Sequence, residues 1–431
     1  MRSMGLALAG ALLLGPTTAA PVVAEGAELL TAEVRASVLD RVLERLNDTY
    51  VDPEAAGAIA SAIRARREAH AYDGITNASQ FGEAVTHDLR SMNGDLHLGL
   101  RYSPEASAPS RPASPFGDPR ELNFGMGRAE ILDGNVGYLE ITGFTGGDYR
   151  DAVVDALRFL SRTDAMIIDV RRNGGGASDM SHFIFSHFLG EKPVPTIDVR
   201  SRRSSEPQHR FSLADVPGPR RPDVPLYLLT SQGTGSAAEE FSFVLKNLHR
   251  ATIVGRRTAG AGHMVAQIPV GNGFTASLSV TRVSDPQTGL EWEQVGVQPD
   301  IAVDPEQALF AAHAAALKTV LTVTRDANRS PLLTRLLETV EARARGASPV
   351  GKSPNRLAGA YEGRAVAVRA GQLWYSRRAG GLSEPLVFLG EDRYALGAQR
   401  LRFAESGGIM ALTVEQADGT QLTFRRSVAS R

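Results

Sequence analysis

The chain has 431 residues, a formal net charge of −1 at pH 7 and no cysteine. This length exceeds what one hydrophobic core usually organises, so two or three domains are expected. The balanced charge gives no bulk attraction to nucleic acid or to an anionic membrane, and the lack of cysteine excludes disulfides, thiol nucleophiles and Cys-ligated metals. With no metal-ligand cluster or phosphate-binding loop in the sequence, neither a metal nor an organic cofactor is predicted.

Residues 1–24 have the pattern of a secretory signal peptide. Arg2 supplies a positive charge, a short apolar stretch covers residues 6–14, and small residues lead to a cleavage-like site at Ala24. The apolar stretch is too short to span a bilayer, and no later segment is long and apolar enough to be an integral membrane segment. We therefore expect a periplasmic or secreted protein, with an uncleaved N-terminal anchor as the alternative.

The first part of the mature chain is predicted to be helical. The predicted helices lie at about 29–46, 54–70 and 78–91. Apolar residues recur at three- and four-residue steps in the first of them, Pro53 interrupts the run, and Asn77 or Ser79 is the expected cap of the third. These helices define an N-terminal helical domain over 25–102, which a Pro- and Ser-rich linker at 103–120 follows.

Strands and helices alternate from residue 121 onward, which predicts an α/β core over 121–345. The predicted strands are 136–141, 165–170, 225–230, 251–255 and a hairpin-like set within 263–283, and the predicted helices are 148–160, 177–188, 236–249 and 308–344. Residues 198–222 are predicted to be a polar, Arg-rich connection. A linker at 346–356 and short alternating segments over 357–431 predict a small antiparallel β domain at the C-terminus.

Two Gly-rich turns, at 169–176 and 230–241, carry most of the functional information. Each follows an apolar strand and precedes a helix. The second turn places Ser236 at a helix N-terminus, where exposed N–H groups and the helix dipole favour developing negative charge. Ser236 is therefore the candidate nucleophile. The alternative is that Ser236 is only an N-cap, with Glu239 completing a capping box.

The candidate oxyanion donors are backbone N–H groups of Gly174, Gly175 and Ala237. Glycines permit positive φ and let a substrate carbonyl approach the backbone closely. The alternative for the glycines is a tight strand–helix connection without a chemical role.

A serine hydroxyl needs a base that accepts its proton. His97 lies at the end of the helical region, and His263 follows a flexible Gly-rich turn. The residues alone leave both open, with His97 preferred. Glu291 or Glu293 is the candidate carboxylate that orients the histidine, and a solvated hairpin edge is the alternative for both.

Several motifs in order along the chain resemble those of one family. They are residues 95–97, 121–126, 134–139, 169–176, 236–241, 251–255 and 296–300. Together they resemble the tail-specific (C-terminal processing) serine peptidase superfamily, and more closely its branch with tricorn-type peptidases and the repeats of interphotoreceptor retinoid-binding protein. The resemblance spans roughly residues 30–305.

This resemblance implies a crotonase/ClpP-like ββα core and a mechanism. The family's processing peptidases use a lysine base where Ala261 stands here, so the resemblance excludes a Ser–Lys pair at that position. The tricorn-like arrangement implies Ser236, His97 and Glu293 as the catalytic group. The expected function is an exported serine peptidase acting on peptides or proteins. The alternative is a non-catalytic carrier of an apolar ligand on the same fold. The C-terminal β domain lies outside this match and resembles small lipocalin-like domains.

Overall fold

The computed structural model describes residues 30–103, 120–147, 149–204, 206–345, 354–378 and 380–427. The predicted signal peptide and most of both predicted linkers lie outside the described residues. No helix in the described part of the chain is long and apolar enough to cross a membrane.

The secondary structure runs as follows. The helices are α1 (Ala32–Thr49), α2 (Pro53–Glu68), α3 (Ala78–Ser91), α4 (Arg150–Phe159), α5 (Ser178–Ser186), α6 (Ala237–Asn247), α7 (Pro305–Val323), α8 (Arg329–Ala344) and α9 (Pro354–Leu357). The strands of the first 302 residues are β1 (Gly99–Tyr102), β2 (Met126–Leu132), β3 (Val136–Ile141), β4 (Ala165–Asp169), β5 (Pro195–Ser201), β6 (Gln208–Phe211), β7 (Leu226–Thr230), β8 (Thr252–Gly255), β9 (Met264–Gly271), β10 (Phe274–Ser284) and β11 (Ile301–Ala302). The remaining strands are β12 (Gly359–Tyr361), β13 (Arg364–Arg369), β14 (Gln372–Ser376), β15 (Ser383–Pro385), β16 (Val387–Gly390), β17 (Arg393–Leu396), β18 (Gln399–Ser406), β19 (Ile409–Glu415) and β20 (Gln421–Arg425).

A six-stranded sheet of order β11-β8-β7-β4-β3-β2 forms the centre of the molecule. Its strands are parallel except for β2, which pairs antiparallel with β3. Strands β4 and β7 are buried along their whole length, as expected for parallel strands covered on both faces. Their carboxyl ends lead directly into the two Gly-rich turns, so both turns lie at the same edge of the sheet.

Alternate side chains of each central strand enter different cores. Ile168 and Leu228 point into the core that contains residues of α4, α5 and α6, whereas Ile167 and Leu229 point into the core that contains α7 and α8. This period of two is the geometry of a strand between two layers. The α/β core that the sequence predicts is confirmed.

A second sheet has the order β1-β10-β5-β6, with β9 paired to β10. Helices α1, α2 and α3 pack their apolar faces on β1, β9 and β10, and the three helices and these strands share one core. The three helices are confirmed, and Asn77 caps α3 through its side chain. The prediction of a polar connection at 198–222 missed β5 and β6. In β5, charged residues alternate with the buried Ile197 and Val199, and β6 at the sheet edge has no buried residue.

The C-terminal part is antiparallel β, as predicted. Its strands form a four-stranded sheet, β12 to β15, and a five-stranded sheet, β16 to β20, around one small apolar core. It contacts the rest of the molecule through α8, where Arg400 of β18 donates to Glu338 at 2.7 Å. The exact domain boundaries given above stay a prediction.

Candidate active site

The two Gly-rich turns lie against each other at the nucleophile. Gly175 has φ +112°, and a Cβ added there would lie 2.8 Å from the Ser236 Cβ and 3.0 Å from the Ala237 nitrogen. The Gly235 N–H donates to the Asn173 carbonyl at 3.0 Å. A larger residue at 175 would therefore displace Ser236, which is a packing reason for glycine in the first turn.

Ser236 has an unusual backbone conformation. It sits immediately before α6 with φ 50° and ψ −121°, whereas the caps of α1, α2 and α3 have φ −78°, −110° and −95°. An N-cap normally adopts such an extended conformation, so capping does not require the positive φ of Ser236. The Ser236 N–H does donate to Glu239 Oε2 at 3.0 Å, as in a capping box. The strained sharp turn between strand and helix is typical of an exposed catalytic nucleophile.

The predicted oxyanion donors differ in their availability. Ala237 is the first residue of α6, so its N–H has no acceptor within the helix. The Gly175 N–H donates to the buried Asn173 Oδ1 at 2.9 Å. In this arrangement Gly175 is engaged, and Ala237 is the donor that lies ready beside Ser236. The oxyanion roles of Gly174, Gly175 and Ala237 stay a prediction.

A third turn, residues 258–262, lies next to Ser236. The Ala261 N–H donates at 2.7 Å to Glu239 Oε2, the same oxygen that accepts from the Ser236 N–H. Two donors that share one oxygen are close neighbours, so Ala261 lies beside the nucleophile.

His263 leads from this turn into a buried cluster of charged groups. Its Nδ1 lies 3.3 Å from Asp95 Oδ2 and 3.7 Å from Glu293 Oε2. Glu293 Oε2 also accepts from the N–H groups of Gly262, at 2.6 Å, and of His263, at 3.0 Å. The Tyr50 hydroxyl donates to Asp95 Oδ2 at 2.9 Å. Ligand atoms of Asp95, His263 and Glu293 lie within 4.8 Å of one another, a spacing at which the three side chains could hold a metal ion.

His97 adjoins this cluster through Asp95, whose Oδ1 accepts from the His97 backbone N–H at 2.9 Å. Within the described residues, the buried His97 Nδ1 and the buried Glu293 Oε1 both lack a hydrogen-bond partner. The structure thus pairs Glu293 with His263 and connects the His97 backbone to this cluster through Asp95. Glu291 lies elsewhere, half-exposed and 4.0 Å from Arg282.

The pKa values of the two histidines shift in opposite directions. Burial lowers the pKa of His97, which is therefore neutral at neutral pH. Burial also disfavours protonated His263, but its hydrogen bond to Asp95 and the charge of Glu293 outweigh burial and raise its pKa. Burial would raise the pKa of Asp95, yet hydrogen bonds from His263, the His97 N–H and Tyr50 lower it to about 2. The carboxylates thus favour the protonated form of His263, although burial also raises the pKa of Glu293, and burial favours the neutral form of His97.

Sequence reasoning missed Asp95 and the contact between His263 and Glu293. The Asp-x-His pattern at 95–97 was the available signal for Asp95. No local pattern links it to residues 263 and 293, because these lie far away in the sequence.

The fold and site define an α/β protein with a serine on a strained strand–helix turn beside a glycine-rich turn and a buried histidine–carboxylate cluster. Residues 135–303 match the family model described as peptidase family S41. This segment of the chain is therefore similar to peptidase family S41, in agreement with the resemblance to tail-specific, or carboxyl-terminal processing, serine peptidases described above.

Individual relatives match part of their length. The carboxyl-terminal-processing protease of Synechocystis sp. is 29% identical over 179 residues, which are 41% of this chain and 40% of that protein. The carboxy-terminal processing protease CtpB of Bacillus subtilis is 26% identical over 263 residues, 58% of this chain and 51% of that protein. The solved photosystem II D1 C-terminal processing protease is 18% identical with a TM-score of 0.42, over 64% of this chain and 94% of that one. The chain thus spans about half or less of these two curated relatives.

Proposed function

We propose that this chain is an exported serine-type peptidase with Ser236 as its nucleophile. The observation that carries the proposal is the strained φ of Ser236, at the meeting point of the two Gly-rich turns and at the start of α6. Backbone strain of this kind persists only where the surrounding structure enforces it, and it concentrates at functional sites. The names of the relatives, which are proteases, support the same reaction class.

His97 is the base in this proposal. A general base must be unprotonated, and the lowered pKa of His97 favours that state. His263 is the weaker candidate, because its Nδ1 faces Asp95 and Glu293 and its raised pKa favours the protonated form, which cannot accept a proton. The unpartnered Glu293 Oε1 is the acceptor that we assign to the imidazolium formed at His97.

The reaction then proceeds in two halves. A bond forms between Ser236 Oγ and the substrate carbonyl carbon while the hydroxyl proton of Ser236 moves to His97. The Ala237 N–H and backbone N–H groups of the 169–176 turn stabilise the oxyanion. The carbon–nitrogen bond breaks as His97 returns the proton to the leaving amine. Water, deprotonated by His97, then hydrolyses the acyl-enzyme. The substrate is a peptide or protein, and residues 1–24 direct export to the periplasm or exterior.

A fluorophosphonate probe tests the nucleophile, because Ser Oγ displaces its fluoride only when a base activates the hydroxyl. We expect the wild-type chain to be labelled, Ser236→Ala to be inert, and His97→Gln to be slowed by about 100-fold or more. Ser242→Ala is the matched control, since Ser242 is a buried serine of α6 whose Oγ donates to the Ala238 carbonyl at 2.8 Å. Equal labelling of Ser236→Ala would overturn the proposal. An unlabelled wild type that copurifies with lipid would favour the apolar-ligand carrier instead.

A further inference from the structure

Glu239 has more hydrogen bonds than helix capping explains. The residue lies in the first turn of α6 and is completely buried. Its Oε2 accepts from the N–H groups of Ser236, at 3.0 Å, and Ala261, at 2.7 Å, and its Oε1 accepts from Thr258 Oγ1, at 2.5 Å, and the Gly260 N–H, at 2.7 Å. A capping box needs only the bond from Ser236. The other three bonds connect the nucleophile turn to residues 258–261.

Only a carboxylate fits this environment. Both oxygens face donors, and an ionised carboxylate is a group that only accepts. In a glutamine, an NH₂ group would replace one of the two oxygens and would face the two donors that this oxygen accepts from. Those two buried donors would then have no acceptor.

The network extends from Glu239 to the segment that holds Glu293. Thr258 Oγ1, which donates to Glu239, also accepts from the Val297 N–H at 2.7 Å. The Gln294 N–H donates to the Gly260 carbonyl at 2.7 Å. Glu239 thereby fixes three segments relative to each other: the Ser236 turn, the 258–261 turn and the segment around residues 294–297.

We propose that Glu239 is a positioning residue, which holds Ser236 in its strained conformation and keeps the 258–261 turn beside it. Ser236 at φ 50° needs a constraint from outside its own residue, and the bond from its N–H to a carboxylate fixed by three other donors provides one. This role rests on the proposed function of Ser236 as the nucleophile.

Glu239→Gln, compared with Glu240→Gln, tests the role. Glu240 is the next residue of α6, is also buried, and accepts from Ser178 Oγ at 2.9 Å, away from the nucleophile turn. We would follow the time course of fluorophosphonate labelling and determine its rate constant and its final amplitude separately. The melting temperature of each variant would also be measured. For Glu239→Gln we expect the full labelling amplitude and a rate constant that is lower than wild type by about 10-fold or more. For Glu240→Gln we expect the wild-type rate constant.

The amplitude separates positioning from a merely structural role. A residue needed only for folding would lower the labelled fraction and leave the rate constant of the folded fraction unchanged, and that result would overturn the proposal. If Glu239→Gln does not fold, Thr258→Val removes one donor at the far end of the network. A slower rate for Thr258→Val that Thr258→Ser restores supports the role, and wild-type rates in both overturn it. An unlabelled wild type would instead overturn the proposed function of Ser236, and the Glu239 role with it.

Discussion

At the scale of single residues, the site separates two histidines that the sequence left as rivals. His97 has a lowered pKa and an unpartnered Nδ1, whereas His263 lies between Asp95 and Glu293 and has a raised pKa. Two titratable groups with pKa values shifted in opposite directions are typical of a divided role, one for proton transfer and one for charge compensation. Burial drives the shift at His97, and the carboxylates outweigh burial at His263.

The pH dependence of labelling follows from His97. Because its pKa is lowered from the ordinary value, the neutral form persists to lower pH than in a free imidazole. We expect the labelling rate to rise with pH along an acid limb whose midpoint lies below about 6.5. A labelling profile between pH 4 and 9 measures it, and an acid limb centred above that value would point to His263 as the base.

The contribution of His263 to the free energy of unfolding decreases as pH rises, whereas the labelling rate increases. Its folded-state pKa is raised, so its stabilisation is fully present below the unfolded pKa and is lost as pH rises through the folded pKa. We expect His263→Gln to lower the free energy of unfolding by about 3 kcal/mol at pH 6, because it leaves two buried carboxylates without their cation. The difference from wild type should shrink in denaturant titrations at higher pH. A difference that grows with pH would contradict the charged state assigned to His263.

At the scale of elements, the turns after β4 and β7 act as one unit. Gly175→Ala places a Cβ 2.8 Å from the Ser236 Cβ at a residue with φ +112°. We expect a loss of roughly 1–3 kcal/mol of unfolding free energy, since the backbone conformation is strained for alanine, together with slower labelling. Thermal melts and labelling rates measure both.

Gly57→Ala is the matched control for that substitution. Gly57 lies inside α2, and a Cβ added there meets nothing within 4 Å. Alanine is favoured over glycine in a helix by about 0.5–1 kcal/mol, so this variant should be slightly more stable and label normally. Equal behaviour of the two variants would show that Gly175 does not hold the turns together.

At the scale of the whole molecule, the C-terminal β part is joined to α8 by arginines. The Arg400 side chain is mostly buried, donates to Glu338 at 2.7 Å and bonds the Arg335 carbonyl. Arg335 in turn pairs with Glu415. These contacts lie away from Ser236, so they concern the assembly of the molecule and not its chemistry.

Arg400→Ala should weaken that junction. Glu338 is 44% exposed, so solvent screens the pair, and we expect a loss of about 1–2 kcal/mol, smaller than for a fully buried pair. Arg402→Ala, an exposed arginine on the same strand, should change stability by less than about 0.5 kcal/mol. Calorimetric melting distinguishes them, and the labelling rate should stay at the wild-type value in both. Slower labelling of Arg400→Ala would show that the β part acts on the site.

The sequence by itself determined most helices, most strands, the α/β class and the two Gly-rich turns around Ser236, because hydrophobic period and turn glycines report burial and local geometry directly. The predicted helix 308–344 is two helices, α7 and α8, in the structure. Strands β5 and β6 were not predicted, since charged residues interrupt the apolar pattern of β5 and β6 has no buried residue. Only the tertiary structure decided that Asp95, His263 and Glu293 share one buried cluster, that Glu239 connects Ser236 to Ala261, and that Asn173 occupies the Gly175 N–H. Apart from the local Asn173–Gly175 bond, these contacts join residues that lie in different turns or far apart in the chain, so they depend on how strands and turns pack and leave no periodic signal.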